Sequence, residues 1–204
     1  LGAQYRACTW RCSLSYDVIC FFGRPASGKT GPVQDAEQQG YETRVCSDDV
    51  KAYYKDPSIA ATSDAGVMWS DGTVTTVMAL HLNKESTSRV GFGLDGYVRS
   101  PGQLNFLLDY IQRKSWSIMV IWVDTPAEIC TERAETRRQQ FIDKGLKPRP
   151  DDDPVVHARR LGEYDKYGPA TLKAFEDAGV PVKRIDGTMS PEEVVRESHT
   201  AIFG

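Results

Sequence analysis

One segment restricts the fold of this chain more than any other: Gly23-Arg24-Pro25-Ala26-Ser27-Gly28-Lys29-Thr30. It satisfies G-x-x-x-x-G-K-[ST] at every fixed position and follows the apolar, β-branched run Val18-Ile19-Cys20-Phe21-Phe22. The residues after Thr30 can form a helix, so the context is strand, loop, helix. There, the glycines let backbone N–H groups curl around an anion, and the helix N-terminus adds partial positive charge. Lys29 is placed to reach the outer phosphates of a nucleotide, and the Thr30 hydroxyl to sit near Mg²⁺. A chance Gly-rich turn is the competing reading; full spacing, correct flanks and the Lys-Thr pair speak against it.

The rest of the chain alternates in the same way. Short apolar runs predict strands at Asp17–Phe22, Tyr41–Cys46, Val90–Leu94, Ser117–Val123 and Pro181–Ile185. Between them, helices are predicted at Thr30–Gln39, Asp49–Tyr54, Thr73–Lys84, Pro101–Arg113, Pro126–Gln140 and Pro154–Ala178, with a last one opened by Ser190-Pro191-Glu192-Glu193. Asp56–Asp71 and Gln139–Asp153 read as surface excursions, the second basic, Pro-rich and mobile. Such alternation implies an α/β fold with a parallel sheet covered on both faces. Ligands then bind at the carboxyl ends of the strands, where the phosphate loop, Asp95 and Asp124 fall.

Composition narrows the function classes. The formal net charge of −3 gives no bulk attraction to nucleic acid or a membrane surface. The longest apolar runs are far short of the ~20 residues of a membrane span. Five cysteines (Cys8, Cys12, Cys20, Cys46 and Cys130) are odd in number and fit no disulfide framework, which points to a reducing compartment. Cys20 and Cys130 fall in core elements. The chain begins at Leu1 rather than Met, so a processed protein or a piece of a longer one is expected, with residues 1–16 as an N-terminal extension.

Two further signals carry chemistry. Leu94-Asp95-Gly96-Tyr97-Val98-Arg99 puts a carboxylate at a strand end, with an arginine four residues on. Alone, Asp-Gly is only a turn; beside a phosphate loop, Asp95 suits Mg²⁺ held through water. Arg133 and Arg137 share a helix face, and Arg149 and Arg160 follow beyond the basic loop. Arginine suits bidentate phosphate binding. The alternative is a solvated face paired with Glu132 and Glu135, preferred for Arg138 and Arg159 and left open for the other four.

Together these residues resemble the nucleoside monophosphate kinases, adenylate kinase most of all, from about Asp17 to the C-terminus. The phosphate loop matches. Val90 through Arg99 resembles the family's Gly-Phe-(apolar)-Leu-Asp-Gly-Phe-Pro-Arg segment. Arg149-x-Asp151-Asp152 with Arg160-Leu161 resembles its Arg-x-Asp-Asp block, and Ile185-Asp186-Gly187-Thr188 its loop beside the ATP base. The resemblance implies a P-loop NTPase fold: a five-stranded parallel sheet with helices on both faces, a small helical monophosphate-binding insertion (about 47–89) and a short lid (about 138–149), all within 17–204. About a dozen residues separate Arg137 from Arg149, and none is a cysteine, so the zinc-holding lid of some relatives is excluded.

Roles carry over residue by residue. Gly23, Ala26, Ser27, Gly28, Lys29 and Thr30 would hold ATP phosphates and Mg²⁺, with Asp95 reaching the metal through water. Arg133 and Gly187 would lie at the ATP base. Ser47, Lys51, Arg99, Gln103, Arg149 and Arg160 would contact AMP, with Gln103 reading its base. Lys29, Arg99, Arg137, Arg149 and Arg160 would act in catalysis, and Asp151 and Asp152 would tie the lid. The implied partners are ATP, AMP and ADP, with no nucleic acid or membrane. A monomer is expected, in the cytoplasm by default, with an organelle left open.

Four departures mark the resemblance. Gly28-Lys29-Thr30-Gly31 replaces Gly-Lys-Gly-Thr. Val98 replaces a proline that the family holds cis; a cis bond before a non-proline costs about 3 kcal/mol, so a rebuilt turn is expected. In Ser47-Asp48-Asp49-Val50-Lys51-Ala52 the family's second arginine falls on Ala52 counting from Asp49, or on Lys51 counting from Asp48. The lid is a few residues longer than usual and contains Pro148 and Pro150. UMP/CMP kinase, whose members tend to carry asparagine at the Gln103 position, and a nucleotide-binding homologue without turnover are the alternatives.

Overall fold

The computed structural model describes residues 16–83 and 90–204. The extension proposed for 1–16, with Cys8 and Cys12, lies outside the described residues except for Tyr16. So does Lys84, the last residue of the predicted helix Thr73–Lys84.

Five strands form one parallel sheet: β1 (Val18–Phe22), β2 (Glu42–Val45), β3 (Phe92–Asp95), β4 (Ile118–Asp124) and β5 (Val182–Asp186), in the order β2-β3-β1-β4-β5. β1 is central, so all five of its residues are buried. Alternate side chains serve opposite layers, as the pleat requires. Ile19 and Phe21 pack with Val33, Ala36, Val194 and Ile202, from α1 (Thr30–Gln38) and α8 (Pro191–Phe203). Val18, Cys20 and Phe22 face the other layer, with Leu104, Leu107 and Ile111 of α5 (Pro101–Lys114) and Phe175 of α7 (Pro154–Asp177). A strand buried on both faces reads as an unbroken apolar run, which is why β1 and β4 were easy to see.

α2 (Cys46–Tyr54), α3 (Pro57–Asp64) and α4 (Asp71–Leu82) lie between β2 and β3, and α6 (Ala127–Asp143) follows β4. Three boundaries differ from expectation. α2 starts three residues before Asp49. The first excursion holds a whole helix: Asp56 ends the gap after α2 and caps α3, its Oδ1 accepting from the Ser58 N–H at 2.8 Å. α6 runs on to Asp143, so the second excursion shortens to residues 144–149 and a single 3₁₀ turn, Pro150–Asp152. In α4 the buried stripe is Val74, Val77, Met78 and Leu82, whereas Leu80 is exposed. Ser190 and Glu193 close a reciprocal capping box at the start of α8. Cys20, Cys46 and Cys130 are free and buried.

Strand order reverses at β1, and the loop leaving its carboxyl end is the Gly23–Thr30 segment. Asp95 and Asp124 end β3 and β4, the strands on either side.

Candidate active site

A cleft of about 920 Å³ opens at these strand ends. Its lining includes Gly23, Ala26, Ser27, Gly28, Lys29 and Thr30 of the loop, Ser47 and Lys51 of α2, Asp95, Arg99 and Gln103, and Arg133, Arg137, Arg149 and Arg160. Every predicted site residue but one therefore faces a common space.

The loop is held from behind by the sheet. Gly23 has φ +147°, and a Cβ there would stand 2.4 Å from the Val123 carbonyl oxygen, so only glycine fits. The Ser27 carbonyl accepts from Thr125 Oγ1 at 2.9 Å and from Arg133 Nη1 at 3.1 Å. Arg133 thus braces the loop instead of pairing with Glu132. Lys29 Nζ arches over the turn, donating to the Gly23 and Arg24 carbonyls at 2.9 and 2.7 Å. Burial pushes its pKa down to about 8, opposed by the nearby Asp95 carboxylate. The exception is Gly187, which does not line the cleft. It packs against the loop's back, where an added Cβ would lie 1.9 Å from Thr125 Oγ1 and 3.1 Å from the Ser27 oxygen.

Beside the loop, on the strand paired with β1, the turn after β3 aims Arg99. Its Nε donates to the Gly96 carbonyl at 2.7 Å. The Tyr97–Val98 peptide is cis, and both side chains are buried in the core. Gln103 is buried too, and its amide has partners: Oε1 accepts from the Arg99 N–H at 2.9 Å and Nε2 donates to Asp71 Oδ1 at 3.0 Å. Of the two readings of the second phosphate grip, Lys51 lines the cleft and Ala52 does not. Lys51 Nζ meets Asp64 Oδ1 at 2.6 Å.

The remaining cations come from α6, α7 and the segment between them. Arg137 makes a fork with the fully buried Asp152, at 2.8 and 2.5 Å. That pairing, not Glu135, raises the arginine's pKa. Arg160 is paired with Asp151, while burial and the neighbouring Arg99 depress its pKa. Arg149 lies over the Phe141 ring at 5.9 Å. Arg159 is no plain solvated residue: Nη1 donates to the Ala65 carbonyl at 2.6 Å, joining α7 to the end of α3.

Several residues escaped the sequence reading. Arg24 stacks over Tyr164 at 5.0 Å and bonds the Thr125 carbonyl; it occupies a free position of the motif, so nothing singled it out. His157 is buried beside Asp152 and Arg160, with Nε2 unpartnered and its pKa lowered chiefly by burial. Asp71 sits at the edge of an expected excursion. Asp124, read only as a strand-end acid, is held by Arg184 at 2.6 Å and does not line the cleft.

Thr30 and Asp95 bring one hydroxyl and one carboxylate to the cleft. This donor set fits Mg²⁺, which is ordinarily carried by substrate phosphates with few protein oxygens. Among the described residues no group of three or more His, Cys, Asp or Glu side chains is arranged to hold a metal. Nor, among them, is any helix long and apolar enough to cross a membrane.

No family model matches the chain. Curated relatives do. It is 30 % identical to the adenylate kinase of Bartonella quintana over 187 residues, covering 87 % of this chain and 95 % of the relative. It is 34 % identical to that of Bartonella henselae over 138 residues, 67 % of this chain and 71 % of the relative. The adenylate kinase of Tropheryma whipplei is 32 % identical over 126 residues, 61 % of this chain and 63 % of the relative. With the phosphate loop, the parallel sheet and the arginine-lined cleft already in place, this extent of likeness assigns the chain to the adenylate kinase family.

Proposed function

We propose that the chain catalyses reversible, Mg²⁺-dependent phosphoryl transfer from ATP to AMP, giving two ADP. The observation that carries this reading is the convergence of Lys29, Arg99, Arg137, Arg149 and Arg160 on one cleft. At about 920 Å³ the cleft is near the top of the roughly 300–1,000 Å³ range of small-molecule sites. It has room for a donor on the phosphate loop and an acceptor beside Arg99.

Phosphoryl transfer asks for alignment and charge stabilisation more than for proton chemistry. Lys29 and the Gly23–Thr30 backbone hold the ATP phosphates. Arg133 braces the loop beside the ATP base, and Gly187 lets the neighbouring chain pass close behind it. Arg99 grips the phosphate of the acceptor, and Lys51 adds a second contact once it leaves Asp64. Ser47 lines the acceptor side, and Gln103 offers an amide edge to its base. Arg137, Arg149 and Arg160 gather on the equatorial oxygens of the group in flight. Thr30 and, through water, Asp95 would hold Mg²⁺, which neutralises phosphate charge when bound.

In this reading 17–204 is the kinase domain, with an acceptor-binding region over about 47–89 and a short lid over about 138–149, and 1–16 is an extension. The lid's closure excludes water, so that ATP is not hydrolysed. The enzyme works as a monomer on free nucleotides in the cytoplasm.

The test is steady-state diphosphate formation from Mg·ATP with AMP, CMP, UMP and GMP offered separately. The expected result is a rate with AMP at least tenfold above the others. Preference for CMP or UMP moves the enzyme to the pyrimidine branch, and no turnover with any acceptor leaves a nucleotide-binding homologue.

A further inference from the structure

We infer that Asp71 is a specificity-determining positioning residue: it fixes which way round the Gln103 amide faces the cleft, and so which bases the acceptor site takes. The inference rests on the kinase reading for the identity of the acceptor.

An amide can usually be turned over, exchanging its oxygen and nitrogen at little cost. Here the two neighbours forbid it. The Arg99 backbone N–H can only donate, and it faces Gln103 Oε1 at 2.9 Å. The Asp71 carboxylate can only accept, and it faces Gln103 Nε2 at 3.0 Å. A flipped amide would set donor against donor and acceptor against acceptor. Asp71 is itself held, because Oδ1 also accepts from Ser100 Oγ at 2.7 Å, and Ser100 caps α5 through the Gln103 N–H. Gly102 makes the approach possible: a Cβ there would lie 2.3 Å from Asp71 Oδ2. Two helix starts, α4 and α5, are thus joined around one side chain.

The amide keeps one N–H and one lone pair for a ligand, with their order set. Adenine presents an amino donor beside a ring-nitrogen acceptor; guanine presents an oxo acceptor beside a ring N–H. With the phosphate anchored at Arg99, an amide of fixed polarity suits one order and leaves unpaired buried groups against the other. Adenine and cytosine share the first order, guanine and uracil the second. Cleft size then separates purine from pyrimidine.

The experiment measures equilibrium binding of AMP and of GMP to the full chain, with diphosphate formation in parallel. The wild type binds AMP more tightly. Asp71→Ala lowers the AMP-to-GMP affinity ratio by about tenfold. Gly102→Ala, which displaces the same carboxylate without removing it, acts in the same direction. Asp71→Asn, whose carbonyl still accepts, keeps the ratio within about threefold. In a Gln103→Leu background Asp71→Ala changes the ratio no further, which a merely structural role would not produce. An unchanged ratio in both Asp71→Ala and Gly102→Ala overturns the inference, as does a wild type that binds the two monophosphates equally. Selective binding without turnover sinks the kinase reading and leaves the amide lock standing.

Discussion

The two walls of the cleft are built on different principles. On the phosphate-loop side, side chains close onto main-chain oxygens: Lys29 onto Gly23 and Arg24, Arg133 and Thr125 onto Ser27, and Arg99 onto Gly96. On the side built by α2, α3, α6, α7 and the 3₁₀ turn, cations meet carboxylates: Lys51 with Asp64, Arg137 with Asp152, Arg160 with Asp151. The first wall is set by the path of the chain as it leaves a buried strand. The second is set by ion pairs with carboxylates that range from the fully buried Asp152 to the half-exposed Asp64 and Asp151. The walls thus differ in what holds their cations: main-chain oxygens fixed by the fold on one, side-chain carboxylates on the other.

The largest effect expected is on the rigid wall. Lys29→Ala or Arg99→Ala lowers turnover by about 10³-fold or more, since either removes charge placed where phosphate charge develops. Thermal melting moves little in either variant. Near-wild-type rates would break the division, because the cradle would then be dispensable.

Next comes the one ion pair on the second wall with a fully buried member. Asp152→Ala strands Arg137, which is 34 % exposed, and destabilises by about 2 kcal/mol, discounted for solvent from the cost of breaking a buried pair. That lowers Tm by about 4–8 °C in a chain of this length. Asp151→Ala, whose carboxylate is 47 % exposed, costs less than about 1 kcal/mol. Equal losses in the two variants would mean that burial does not grade these contacts.

The pH dependence sharpens the comparison further. Lys29 loses its charge above about 8, so kcat/KM for Mg·ATP falls about tenfold per pH unit beyond that point. Stability moves the other way. The folded pKa lies below the ordinary lysine value of 10.5, so between about 8 and 10.5 the unfolded chain binds more protons and Lys29's contribution rises with pH. A rate profile flat to pH 10 would contradict the first statement, and denaturant titrations of wild type against Lys29→Met check the second. The smallest effect is at Lys51: Lys51→Ala raises the KM for AMP by roughly five- to tenfold, the scale of one exposed charged contact. An unchanged KM would place the second phosphate grip elsewhere.

What could be read in the sequence is the part of the cleft that follows from local rules. The cradle follows from local rules: β1 is an unbroken apolar run, glycine is needed where φ is +147° at Gly23, and Lys-Thr follows at fixed spacing. The parallel character of the sheet follows from the alternation of elements, whereas its strand order comes from the fold. Contacts between residues far apart in the chain escape such rules on both sides of the cleft: Gln103 with Asp71, 32 positions away, and Arg133 with Ser27, 106 away. No local pattern marks those pairs. Asp56–Asp71 reads as a surface excursion, although Asp followed by Pro is also a helix start, and that is how α3 begins. For Arg133 and Arg137 spacing leaves phosphate binding and helical neighbours both open; in the fold both reach tertiary partners. Ala52 and Lys51 could be separated only once the helix direction was known.

The account's central claim is that the cradle and the cation wall act on two nucleotides together. The most direct measurement is the rate of Mg·ATP consumption with and without AMP. The account predicts consumption only when AMP is present, with diphosphate appearing as two molecules per ATP consumed. Equal consumption in the absence of AMP would contradict it, because the second wall would then have no acceptor to position.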